Sequence, residues 1–167
     1  MNESLRLTAL FIRDLLQYNE QLIRIGRQNY DIVDFSIAYI GVDSLGAAKI
    51  MASGETYNGT DEDMTYQQQW QAPVTLSFYG ASAWATATRF ALLIQSQRSF
   101  NLQQLLGLGV YQVSALTDVK ILAGQQYGER QDLTLNVRYA TTADIDTLRI
   151  DTAIIELRTE TGLEIEP

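Results

Sequence analysis

The residue types that carry most enzyme chemistry are missing from this chain. Its 167 residues include no His and no Cys, which excludes Ser-His-Asp triads, thiol nucleophiles, and zinc or haem sites built on either residue. Lysine chemistry has two candidates, Lys49 and Lys120, and neither has a neighbour that would activate its amine. We therefore predict no catalytic residue, no metal site and no cofactor.

Carboxylates are the reactive groups that remain, because the chain has twenty Asp and Glu against twelve Lys and Arg, a net charge of −8. Asp61, Glu62 and Asp63 form a cluster shortly after an Asn-Gly pair at 58–59. A calcium loop needs a central Gly after alternating oxygen ligands, and this Gly comes too early for that pattern. Two carboxylates about 5 to 10 Å apart would support glycoside hydrolysis, but no local pattern distinguishes one pair. The sequence favours a solvated acidic tip.

The distribution of charge and apolar residues also limits the partners. Binding to nucleic acid rests mainly on clustered Lys and Arg that neutralise phosphates, and this acidic chain has no such cluster. Its apolar stretches, such as residues 90–94, are far shorter than the ~20 residues of a membrane-spanning helix. We expect neither free-standing binding to nucleic acid nor a membrane partner.

The arginines and aromatic residues indicate contacts with other proteins. Ten of the twelve basic residues are Arg, which is enriched at interfaces where Lys is depleted; a compositional bias explains this imbalance equally well. The chain has nine Tyr and two Trp, whose rings bury a large area while keeping a polar tip. Glutamines at 67–69 and 71 are interleaved with Tyr66 and Trp70, which is typical of an assembly surface more than of a solvent face.

Helical spacing of apolar residues predicts two main helices. The first covers residues 4–18, and the second runs from Ser82 to about Gln97. A short helical segment after Asn101 would end at Gly107, which suits a left-handed C-cap. The packed face of the second main helix would carry Trp84, Ala87, Ala91 and Ile94.

Runs of β-branched and aromatic residues predict the strands. Segments 22–26 and 32–40 are expected to be strands joined by a polar turn at Gln28-Asn29, and residues 47–57 and 64–79 to form a long hairpin around Asn58-Gly59. Pro73 cannot donate a hydrogen bond and is expected at a strand start, a bulge or an edge. Later strands are expected at 110–113, 119–122, 132–139 and 148–157.

The order of these elements predicts the fold class. Helix, strands, helix and strands give an α+β fold with a mostly antiparallel sheet packed by two main helices, and with a long protruding β-hairpin. We expect a single domain over residues 1–158 and an acidic C-terminal tail over 159–167.

This organisation resembles the neck and tail-terminator proteins of tailed bacteriophages, and the resemblance spans nearly the whole chain. The most specific piece is the run 125–139, in which Glu129-Arg130 looks like the family's Glu-Arg step at the start of the penultimate strand. The other matching pieces are the first helix, the turn at 28–30 before the strand 32–40, the hairpin, the strand 74–79 that runs into the Ser82 helix, and Asp118-Val119.

The resemblance implies an α+β subunit that assembles into a closed ring, usually a hexamer, between the tail tube and the head-side connector. Such a ring stops tail growth, offers a docking face to the head and lets the genomic DNA pass through its lumen as cargo. We therefore expect a structural virion protein, not an enzyme, that is assembled in the host cytoplasm. Its expected partners are further copies of itself, the tail tube protein and a head-side connector or adaptor protein.

Candidate residues for these roles lie on the hairpin and the second helix. Interface residues are expected at Tyr57, Tyr66 and Trp70 on the hairpin and at Arg89 and Arg98 on the second helix. The cluster of Asp61, Glu62 and Asp63 is expected to line the lumen. Acidic groups there would repel DNA, so that the genome slides without sticking.

Three alternatives remain open at this point. A head-completion protein or another minor tail assembly protein would share most of these features. A non-viral ligand-binding α+β domain would show a closed apolar pocket. A carboxylate enzyme would show a groove that holds two close acids with raised pKa values.

Overall fold

The computed structural model describes residues 3–26, 37–46, 48–58, 63–111, 113–119, 121–123 and 126–146. The helices are α1 (Glu3–Leu16), α2 (Ala83–Leu93) and α3 (Gln97–Leu106), and a short 3-10 helix covers Glu20–Leu22. The strands are β1 (Ile23–Ile25), β2 (Tyr39–Ser44), β3 (Lys49–Asn58), β4 (Asp63–Tyr79), β5 (Leu108–Tyr111), β6 (Thr117–Asp118), β7 (Ile121–Ala123), β8 (Gln126–Gly128) and β9 (Arg130–Asp146).

A seven-stranded sheet forms the centre of the fold. Its main order is β1-β2-β4-β9-β5, with β3 added beside β4 and β6 beside β9. The pair of β1 with β2 is parallel and the other pairs are antiparallel. β7 and β8 form a separate two-stranded sheet. This arrangement confirms the predicted α+β class with a mostly antiparallel sheet.

The tight turn predicted between the first two strands does not fit their pairing, which is parallel. Ile23 of β1 lies opposite Ile40 of β2 in a parallel register, and a tight turn joins only antiparallel neighbours. The second strand also begins at Tyr39 and runs on to Ser44, later than predicted. The turn at Gln28-Asn29 and the residues 32–36 lie outside the described residues.

The core lies between the helices and one face of the sheet. Alternate residues of the two longest strands point into it, because side chains along a strand alternate between faces. Phe11 of α1 and Phe78 of β4 both pack near the ring of Phe90 in α2, with ring centroids 6.4 Å and 6.0 Å from it. The core residues of β4 and β9 are Ala72, Val74, Leu76, Phe78, Leu133, Leu135, Val137 and Tyr139.

The second predicted helix ends earlier than predicted, and the short helical segment predicted after Asn101 begins earlier, at Gln97. α2 ends at Leu93, and Ser96 begins α3 by accepting a hydrogen bond from the Ser99 N–H. Gly107 ends α3 in the left-handed conformation, with φ of 61°, as predicted. The packed face of α2 is also rotated from the prediction: it buries Ala83, Ala87, Phe90 and Ile94, which leaves Trp84 exposed.

Pro73 lies inside β4, opposite Asn136 of β9, and not at a strand start, bulge or edge. On the other side of β4 the neighbouring strand changes here, because β3 pairs with residues 63–71 and β2 with residues 74–79. The Pro73 carbonyl accepts a hydrogen bond from the Leu45 N–H at 3.2 Å. A residue in an antiparallel pair directs its N–H and C=O to the same side, so the missing N–H falls at a break between two ladders.

The predicted strand 148–157 and the acidic tail 159–167 lie outside the described residues.

Candidate functional site

Three strands form a part of the sheet that we call the arm: β3, residues 63–71 of β4 and residues 140–146 of β9. β4 lies in the middle and pairs with both others in antiparallel register. None of the arm side chains whose exposure the structure describes is fully buried. A sheet becomes stable by burying at least one face, so the arm is a candidate surface for contact with a partner.

The register brings the ends of the arm strands together. Asp63 lies opposite Asn58 of β3 on one side and opposite Asp146 of β9 on the other. The residues that would turn from β3 into β4, including Asp61 and Glu62, lie outside the described residues. The tip of the predicted hairpin therefore stays a prediction, while the antiparallel pairing of β3 with β4 is observed.

One face of the arm continues the face that packs on the helices, and we call it the aromatic face. Even-numbered residues of β4 lie on it, and residues directly opposite on neighbouring strands share a face. Glu55 is opposite Tyr66 and is the one charged residue among these described positions. The apolar and aromatic members are Ile50, Tyr57, Met64, Tyr66, Trp70, Ala143 and Ile145.

The opposite face of the arm is polar and acidic, and we call it the acidic face. Asp63 and Asp144 lie on it, together with Thr65, Gln67 and the arm's other odd-numbered β4 residues. The Thr65 hydroxyl donates a hydrogen bond to Asp144 at 2.7 Å, which confirms that these two side chains share a face.

The arm segments carry most of the net charge of the chain. Residues 49–71 and 140–146 contain six acidic residues and one basic residue, Lys49, a charge of −5 out of the total of −8. The rest of the chain has fourteen acidic and eleven basic residues, a charge of −3. The six acidic residues are Glu55, Asp61, Glu62, Asp63, Asp144 and Asp146.

The predicted interface residues of the hairpin occupy one face but differ in exposure. Tyr57 and Tyr66 are 49% and 42% exposed. Trp70 is half-buried against the core, and its indole N–H donates to the Thr141 hydroxyl at 2.9 Å. Trp70 therefore holds the base of the arm in place, while the two tyrosines present free ring surface.

The two predicted interface arginines lie on different helices. Arg89 is an exposed residue of α2, whereas Arg98 lies on α3, because the second predicted helix ends at Leu93 and the next helix begins at Gln97. Arg98 donates a hydrogen bond to the backbone carbonyl of Asp14 in α1. Arg98 thus ties α3 to α1, while no ion pair among the described residues engages Arg89.

The outward face of α2 is a feature that the sequence analysis missed. Trp84 and Leu92 are 59% and 74% exposed, and helical spacing places them on one side together with Ala85 and Arg89. Residues 64–117, which include this helix, contain no Asp or Glu. The α2 face is therefore apolar and weakly basic. The sequence signal that could have revealed it is the helical spacing of a different set of apolar residues, which form the buried face: Ala83, Ala87, Phe90 and Ile94.

A row of four side chains crosses the sheet on the face opposite the helices. Tyr39 and Tyr79 lie opposite each other and stack, with centroids 4.3 Å apart and an interplanar angle of 11°. The Arg24 guanidinium lies 4.5 Å from the Tyr39 ring centroid, and the Arg130 guanidinium 5.4 Å from that of Tyr79. Cation–π contacts of this kind tie four neighbouring strands together.

The same row lines a cavity of about 460 Å³. Arg130 donates to both carboxylate oxygens of Asp132 at 2.6 Å and 2.7 Å, and burial raises the pKa of the Tyr39 hydroxyl to about 12. Asp43 is the single carboxylate among the described lining residues, which also include both arginines of the row and the hydroxyls of Thr75 and Ser77. This polar lining differs from the closed apolar pocket and from the groove with two acids that the alternatives require.

Among the described residues, no helix is long and apolar enough to cross a membrane. No group of three or more acidic side chains in this part of the chain is placed to hold a metal ion.

Comparison with known proteins decides the family. A family model described as phage neck terminator protein matches residues 6–159 of the 167. The chain belongs to the phage neck terminator family. This confirms the resemblance inferred from the sequence and makes the chain a structural component of a phage virion. A search of curated proteins finds no match.

Proposed function

We propose that this chain is the subunit of a ring at the phage neck, which terminates the tail tube, joins it to the head-side connector and lets DNA pass through its lumen. The family match supports a neck protein. The arm supports the rest of the proposal, because its two faces differ in chemistry: one is largely apolar and aromatic, and the other carries Asp63 and Asp144.

A closed ring explains why none of the described residues of the same subunit covers the arm. Rings form through a heterologous contact, in which one patch of a subunit meets a different patch of the next and the rotation closes. The exposed arm and the exposed helices provide two such patches. We expect six copies, with Tyr57, Tyr66 and Trp70 contributing from the arm and Arg89 and Arg98 from the helices.

The acidic face suits the wall of a DNA channel. Asp63 and Asp144 lie on this face, and Asp61 and Glu62 precede Asp63 in the sequence. These carboxylates repel phosphates across roughly a Debye length, about 8 to 10 Å at physiological salt. Binding to DNA gains free energy when Lys and Arg release counterions, and the one basic residue of the described arm strands is Lys49, opposite Gln71 at the base of the arm. DNA therefore passes along this surface without being held.

The ring meets different partners on its two rims. One rim contacts the tail tube protein and the other contacts the head-side connector or adaptor protein, and assembly takes place in the host cytoplasm. Neither rim requires a cofactor, a membrane or catalysis.

Electron microscopy of particles made without this chain tests the proposal. Tails of uncontrolled length would show that the chain terminates the tube, which is the expected result. Headless tails of normal length would assign it to joining or head completion alone. Unaltered, infectious particles would contradict the proposed function.

A further inference from the structure

We propose that the aromatic face of the arm packs on the outward face of α2 in the next copy of this chain. The inference rests on the proposed ring and names the two patches that meet in it. Both patches are exposed in a single copy, and both belong to described residues.

Apolar surface on both sides favours this contact. The arm presents the exposed side chains of Ile50, Tyr57, Tyr66 and Ile145, and α2 presents Trp84 and Leu92. Burying large apolar side chains supplies the main free energy of association, and interface energy concentrates on rings such as those of Tyr and Trp.

The two patches also match in size. Three strands spaced ~4.8 Å apart make the arm about 10 Å wide, which is close to the diameter of a helix. The eleven residues of α2 span about 16 Å at ~1.5 Å per residue, and Met64 to Trp70 along β4 spans about 20 Å at ~3.4 Å per residue. One helix therefore covers the aromatic face of one arm.

Charge favours contact of an arm with a helix over contact between two arms or two helices. Glu55 is the charged residue of the aromatic face, Arg89 is the charged residue of the α2 face, and both are exposed. Among the described residues, none forms an ion pair with either. An arm packed on another arm would bring two carboxylates together, and two α2 faces would bring two arginines together, so the arm-to-helix contact is favoured.

The contact leaves the acidic face free. Asp63 and Asp144 lie on the side of the arm that faces away from the aromatic side chains. A ring closed by this contact therefore keeps its carboxylates available to the lumen.

Chemical cross-linking tests the inference, because the chain has no Cys of its own. Phage lacking this gene product are complemented with the double variant Glu55→Cys/Arg89→Cys, and the assembled particles are treated with a short bis-maleimide. We expect a ladder of covalent multimers up to the full ring. Complementation with a mixture of the two single variants is expected to give a band that stops at the dimer.

The matched control moves one thiol to the other face of the arm. Gln67 is exposed on the acidic face, one residue from Tyr66, so Gln67→Cys/Arg89→Cys is expected to give no ladder. Equal ladders from both double variants, or none from Glu55→Cys/Arg89→Cys in particles with tails of normal length, would overturn the inference and leave the proposed function standing. Wild-type particles that lack the chain would overturn both.

Discussion

Burial changes the chemistry of the Tyr39 phenol, which lies on the face of the sheet opposite the helices. It is 6% exposed and stacks on Tyr79. Burial raises its pKa to about 12, above the usual value of ~10. The folded chain therefore keeps this proton between about pH 10 and pH 12, while the unfolded chain releases it.

Stability is predicted to fall with pH in that window. A group that binds its proton more tightly in the folded state adds stability that is complete below about pH 10 and is lost as pH rises to its folded pKa, here about 12. Urea unfolding followed across the window is expected to show this loss, and the variant Tyr39→Phe is expected to show a smaller one. The same slope in both proteins would contradict the assignment.

Two phenylalanines on neighbouring helices are predicted to differ in how much they contribute to stability. Phe90 is fully buried between Phe11 and Phe78, whereas Phe100 is 53% exposed. Replacing Phe90 by Ala is expected to lower the free energy of unfolding by about 3 to 5 kcal/mol. Phe100→Ala serves as the control and is expected to change it by about 0.5 kcal/mol or less. Urea unfolding of both variants measures the difference.

At the scale of elements, strong local patterns were predictable from the sequence. The alternation over residues 132–139 matches the buried residues of β9, the helical spacing over 4–18 matches α1, and Gly107 ends α3 as predicted. These patterns were readable because each element meets the core along one regular stripe.

Elements whose partners decide their structure were not predictable. The position of β2 follows from its parallel pairing with β1, and Pro73 is accommodated because two strands meet beside it. The sequence pattern predicted Trp84 on the buried face of α2, because a large ring outweighs alanine in any hydrophobic pattern. The structure instead buries the small residues Ala83 and Ala87, which allow closer packing. The two faces of the arm needed the register of three strands.

The arm predicts a difference between two adjacent residues. Tyr66→Arg changes the aromatic face, and Gln67→Arg makes a similar charge change on the acidic face. Tyr66→Arg is expected to weaken incorporation into particles about thirtyfold or more, equivalent to ~2 kcal/mol, because a charge replaces a ring that becomes buried. Immunoblots of purified particles measure incorporation, and thermal unfolding checks that both variants fold. Equal incorporation would contradict a face-specific contact.

At the scale of the whole molecule, the separation of charge is the dominant feature. The 30 residues of the arm segments carry −5, while the remaining 137 residues carry −3. A uniform surface charge would serve solubility alone, but a concentration on one structural element sets a local field.

Reversing the charge of the acidic face is predicted to make the chain bind DNA. The variant Asp63→Lys/Asp144→Lys is expected to retain DNA in a mobility-shift assay at low salt, to lose it as salt rises, and to slow genome ejection. The control Glu20→Lys/Glu129→Lys changes the net charge equally at exposed sites outside the arm. DNA retention by the control to the same extent would contradict a local role for the acidic face.

Electron cryomicroscopy of the neck in intact virions tests the central claim most directly, because it shows where the arms of the ring point. We expect a closed ring in which Asp63 and Asp144 face the DNA and the aromatic face of each arm covers α2 of the neighbouring copy. Arms that point outward, away from the DNA channel, would contradict the proposed ring.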